Sequence, residues 1–136
     1  MVTIKVNVEW CEKNFCACVD EQVPGAIVVT HKTYKGLKDA VHSAIRFHVE
    51  GMIADGDDVP GWLLDNDYKI EWVLDTAALL KSCEGLTTLS DIANASGINE
   101  RQLGHYANGH RKPRPEQRKR IVDGLHKIAN ELLSVV

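Results

Sequence analysis

The chain has 136 residues, 44% of them hydrophobic and 26% charged, with a net charge of −3 at neutral pH. That composition excludes a disordered chain and suffices for one ordinary domain or two small ones. Apolar runs are short and broken by charge, and the N-terminus lacks a basic-then-apolar leader, so the expectation is a cytoplasmic protein with no membrane partner. Residues 3–10, TIKVNVEW, alternate with period two, placing Ile4, Val6, Val8 and Trp10 on one face of a half-buried strand. Residues 15–20 repeat the pattern with Phe15, Ala17 and Val19, and CEKN between them reads as a hairpin turn. Pro24-Gly25 marks a second turn before AIVVTH, a third strand rich in β-branched residues.

The period then changes to that of a helix. From Tyr34 to Ile53, apolar residues recur at Leu37, Ala40, Val41, Ala44, Ile45, Val49 and Met52, with Thr33 as N-cap. ADGDDVPGW reads as a loop, and YKIEWVL as a fourth strand with Tyr68, Ile70, Trp72 and Leu74 on one face. After Asp75 everything reads helical. AALLKSC forms a first helix, and Thr88 with Asp91 makes a capping box for a second. Asn99 with Gln102 does the same for a third. A long helix follows from Pro115 to Ser134, with apolar positions Ile121, Val122, Leu125, Ile128, Ala129, Leu132 and Leu133. That stripe either packs only on the other helices of its own domain or leaves part of itself for a dimer contact. The expected organisation is an α+β domain over 1–75 and an all-α domain over 76–136.

Charge divides along the same line. Residues 1–85 hold eight Lys and Arg against fourteen Asp and Glu, a net −6, whereas residues 86–136 hold eight against five, a net +3. Residues 99–120 alone carry seven against two, a net +5. An acidic front and a basic back suit partners of opposite charge.

The most informative stretch is TTLSDIANASGINERQLGHYANGHRKP, residues 87–113. Gly97 sits at a turn between two short helices, with Ile92, Ala93, Ile98 and Leu103 spaced as buried contacts. Asn99, Glu100, Arg101, Gln102 and His105 are polar and point away from that core, the geometry that lays a second helix in the DNA major groove. Arg101 and Gln102 are suited to reading base edges, Arg on guanine and Gln on adenine. Asn99 suits a phosphate or a base, His105 is a further contact, and Arg111, Lys112 and Arg114 extend past the helix toward the phosphate backbone. The stretch resembles the Cro/repressor-type (XRE-like) helix-turn-helix, on Gly97-Ile98-Asn99 and the Asn108-Gly109-His110-Arg111-Lys112-Pro113 run that follows. Gly104, inside the recognition helix, departs from good helix-forming sequence.

Catalytic and metal chemistry find little support. Cys11, Cys16, Cys18 and Cys83 form no CxxC pair and read as reduced packing residues. The six His residues are scattered, and Asp55, Asp57 and Asp58 are followed by Val59-Pro60-Gly61, which fails the EF-hand pattern. Glu9 and Asp20 lack a matched helix carboxylate for two-metal nuclease chemistry. No enzyme activity, metal or cofactor is expected.

The order of elements, with the Pro24-Gly25 turn and the TYKGLKDAVHSAI helix, resembles the HicB antitoxin family. That resemblance implies a truncated RNase H-like sheet-and-helix domain joined to a helix-turn-helix DNA-binding domain. It further implies an antitoxin that masks a small basic ribonuclease toxin and represses its own operon by binding operator DNA as a dimer or higher homo-oligomer. The alternative is a stand-alone transcription regulator whose N-terminal domain dimerises or senses a ligand.

Overall fold

Alternating strands and one amphipathic helix build the first half of the chain, and short capped helices build the second. The computed structural model describes residues 1–136. In chain order the elements are β1 (Val2–Cys11), β2 (Asn14–Val19), β3 (Val28–His31), α1 (Tyr34–Ala54), α2 (Gly61–Leu64) and β4 (Tyr68–Leu74), then α3 (Thr76–Ser82), α4 (Leu89–Ser96), α5 (Glu100–Ala107) and α6 (Pro115–Leu133). The chain is α+β, with a four-stranded mixed sheet and six helices. It divides into two compact units, Met1–Asp75 and Thr76–Val136. No helix is long and apolar enough to cross a membrane.

In the front unit the strand order is β3-β2-β1-β4. β1 and β2 pair antiparallel across a two-residue loop in which Glu12 takes a positive φ of 55°. β4 returns parallel to β1, with Ile4 opposite Ile70 and Val6 opposite Trp72, a connection that needs the intervening helix. Thr33 caps that helix by accepting the Gly36 N–H at 3.0 Å. Ile4, Val6, Val8, Phe15 and Ala17 from the sheet are buried with Leu37, Val41 and Ile45 from α1. Each large aliphatic so buried contributes about 1.5–3 kcal/mol. Edge-on ring contacts join Trp10 to Phe15 (centroids 5.0 Å apart) and Tyr34 to Trp72 (6.3 Å), tying three strands and the helix together.

Three expectations for this unit need correction. The stretch read as a loop contains a one-turn helix, α2, because Leu63 is drawn into the core (1% exposed) and Trp62 packs edge-on against Tyr68. The third strand is shorter than AIVVTH: Ile27 lies outside it, although its carbonyl still accepts the Val19 N–H at 3.0 Å. Cys11 and Cys18 are exposed, not packed, because they lie on the sheet face that α1 does not cover.

The back unit centres on Leu80, Ile92, Ile98, Leu103, Tyr106, Ala107 and Ile121. Thr88 caps α4 by accepting the Asp91 N–H at 3.1 Å. Gly97 ends α4 with φ 73°, the left-handed conformation in which glycine meets no steric penalty. Gly124 lets α6 approach α4 closely, since a Cβ there would lie 3.0 Å from the Ser96 backbone nitrogen. Cations on α6 satisfy carbonyls at the end of α4: Arg120 Nη2–H donates to Gly97 O (2.9 Å) and Lys127 Nζ to Ala95 O (3.4 Å). The apolar stripe of α6 is only partly used. Ile121 is buried, and Leu125 and Ile128 are half-buried against the core, whereas Ala129, Leu132 and Leu133 are exposed. An eight-residue α4 spans about 12 Å against about 28 Å for the nineteen residues of α6, too short to cover its last turns.

Candidate nucleic-acid interface

The start of α5 is shaped by its cap. Asn99 Oδ1 accepts the Arg101 N–H at 2.8 Å, fixing the first turn. The reciprocal half of the expected capping box is absent, because the Gln102 amide is engaged elsewhere: its Nε2 donates to Tyr106 Oη at 2.9 Å. Tyr106 and Leu103 are buried, so the opposite side of the helix, carrying Arg101, Gly104, His105 and Asn108, is the side turned outward.

Five of the eight residues expected at the site come together. Asn99, Arg101, Gln102, His105 and Arg111 line one open depression of about 370 Å³. Arg111 reaches back from beyond the helix, its Nη1–H donating to Gln102 Oε1 at 3.4 Å. Gln102 is therefore held at both ends of its amide, by Tyr106 below and Arg111 above. Glu100, Lys112 and Arg114 are exposed but lie outside the depression. Arg114 occupies the N-cap position of α6 without a side-chain cap bond.

The structure also adds residues that spacing did not single out. Tyr106 positions Gln102, and the i, i+4 relation between them was the available signal. His110 brings its ring to 6.2 Å from that of His105, through a turn in which the His110 N–H bonds His105 O at 3.0 Å. It also removes some cations from the free set. Arg118 donates to Thr76 Oγ1 (3.1 Å) and Arg120 to Gln117 and Gly97, so both brace the unit internally. Arg101, Lys112, Arg114 and Lys119 remain exposed, with Arg111 shared between Gln102 and solvent. No group of three or more His, Cys, Asp or Glu converges to hold a metal ion. A depression lined by guanidinium, imidazole and amide groups at a capped helix start, with free cations beyond it, is equipped to bind an anionic polymer.

Compared with protein-family models, curated proteins and solved structures, the chain matches none.

Proposed function

We propose that the back unit is a helix-turn-helix that reads operator DNA, and that the whole chain is a HicB-like antitoxin and autorepressor. The observation that carries the DNA reading is the convergence of Asn99, Arg101, Gln102, His105 and Arg111 on the outward side of α5. α4, the Gly97 turn and α5 supply the scaffold, α5 enters the major groove, and Lys112 and Arg114 hold phosphates. Because Gln102 is held by Tyr106 and Arg111, Arg101 is the principal base reader and Gln102 acts with Arg111 as a pair. The front unit supports the antitoxin half through its net acidity and through a sheet with one covering helix, compatible with a truncated RNase H-like domain. Its partner is then a small basic ribonuclease toxin, and the assembly is a homo-oligomer matched to paired half-sites.

Arg101→Ala should cost about 1–3 kcal/mol on the preferred site and relax base preference there, whereas Lys112→Ala should weaken all sequences alike and flatten the salt slope. Unchanged site preference in Arg101→Ala would remove α5 from the reading role. Co-expression of the neighbouring short basic frame tests the other half. If that frame is not toxic, or is toxic but not neutralised by the chain, the reading moves to a stand-alone regulator.

A further inference from the structure

The end of α5 brings two imidazoles together, only one of them expected at the site. Gly109, with φ 74°, turns the chain back on the helix. The His110 N–H then bonds His105 O at 3.0 Å, and the Arg111 N–H reaches the same carbonyl at 3.4 Å. That turn carries the His110 ring to 6.2 Å from the His105 ring. Neither ring is engaged in a hydrogen bond or an ion pair within the chain. His105 is half-buried in the wall of the depression, and His110 is exposed.

The charges around the pair are one-sided. Arg101 and Arg111 line the depression with His105, and no carboxylate does. Lys112 and Arg114 follow in the chain, and Glu100, the acidic residue of the first turn of α5, lies outside the depression. α3 and α4 pack against α5, but their charged groups are engaged elsewhere. Lys81 pairs with Glu84 at 3.3 Å, and Asp91 lines a groove between α4 and α6. On α6, Arg118 and Arg120 bond Thr76 and Gly97. Two effects oppose each other at the rings. Carbonyls at the C-terminal end of a helix favour a cation there, and the neighbouring guanidiniums repel one. A phosphate over the depression cancels the repulsion and leaves the attraction.

We propose that His105 and His110 form a proton-linked phosphate clamp: on binding DNA the two imidazoles take up protons and donate to the duplex backbone, so binding tightens as pH falls. Imidazole changes charge between about pH 5 and 8, and both of its nitrogens donate only in the charged form. Arg and Lys keep their charge over that range and confer no such dependence. A merely structural ring pair predicts the opposite sign, because two neighbouring imidazoles that gain charge repel each other and loosen the turn. The inference rests on the DNA reading of the back unit and adds its regulation.

The test is a fluorescence-anisotropy titration of the full chain against a labelled mixed-sequence duplex of about 20 base pairs, at pH 5.5 and 7.5 and several salt concentrations. Affinity should be about tenfold higher at pH 5.5, with a slope of log K against log salt steeper there by about 0.9 for each imidazolium. His105→Gln with His110→Gln should bring the ratio of the two affinities to within about twofold. His126→Gln, at an exposed position of α6, should leave the tenfold ratio intact. The ratio is the readout, so loss of an ordinary contact to the duplex does not mimic the effect. Imidazole NMR signals of the unsubstituted chain check the same point: both rings should stay protonated to higher pH with the duplex than without it. A gain that survives the double substitution, or weaker binding at pH 5.5, would overturn the proposal. If the duplex is bound equally at both pH values, the DNA reading stands and the clamp falls. If it is bound at neither, the DNA reading falls and the clamp with it.

Discussion

The two units use charge in different ways. In the back unit, cations on α6 tie its own helices together: Arg118 bonds Thr76, Arg120 bonds Gly97 and Lys127 bonds Ala95. In the front unit the surplus is acidic, and the carboxylates at the end of α1 lack internal partners. Net charge therefore overstates what the back unit offers a partner. The helix glycines make a parallel contrast. Gly124 is required by the nearby Ser96 backbone, whereas Gly51 and Gly104 meet nothing within the chain. A helix glycine that packing explains and one that packing does not explain respond oppositely to substitution.

The strongest way to break the comparison is to unfold one unit alone. Leu103→Ala removes a fully buried side chain from the back core and should cost about 2–5 kcal/mol. Urea unfolding followed by near-ultraviolet spectroscopy should then show two transitions, with the signal of the three Trp residues, all in the front unit, unmoved. A single shared transition would refute independent units. Gly124→Leu comes next, at about 1–3 kcal/mol, because added methylenes meet Ser96 backbone and not the flexible end of a side chain.

Gly104→Ala sharpens the contrast through its sign. The space there is open within the chain, so alanine should stabilise the back unit by about 0.5–1 kcal/mol. If α5 seats its outward side against a duplex, the same change should weaken DNA binding measurably. Stabilisation with unchanged DNA affinity would leave this glycine without a function at the interface. Tyr106→Phe is expected to be smaller, about 0.5–1.5 kcal/mol for the lost hydrogen bond, and to free Gln102 to alter base preference more than overall affinity.

The smallest effect is in the pH response of the front unit. The neighbouring Cys16 side chain pushes the Cys11 thiol up to about 12, and burial raises Tyr34. Groups with raised folded values bind protons more tightly when folded. Their contribution is present below the unfolded value and is lost as pH climbs from about 9 toward the folded value. Urea midpoints of the front unit should fall over that range. Cys11 should alkylate slowly despite its exposure, and faster once Cys16→Ala removes the neighbouring thiol. Rapid alkylation of Cys11 in the wild-type chain near neutral pH would contradict this account.

Local pattern alone determined most of the elements. Period-two alternation marked β1 and β4, helical spacing marked α1, and Thr33 and Thr88 marked helix starts that their hydroxyls do cap. These signals are legible because they depend on neighbours within a few residues. Which residues of the α5 region assemble was only half legible. Polarity pointed to Asn99, Arg101, Gln102, His105 and Arg111, but not to the exclusion of Glu100, Lys112 and Arg114 from the same depression. Tertiary structure alone decided that Arg111 reaches back to Gln102, that Arg118 and Arg120 serve as internal braces, and that Cys11 and Cys18 face outward. It also decided that α2 forms, because Leu63 finds a buried site. The free face of α1 and the unused end of the α6 stripe belong to the same class. Periodicity states which residues share a face of a helix or strand, but only the lengths and positions of the elements packed against that face decide what is covered.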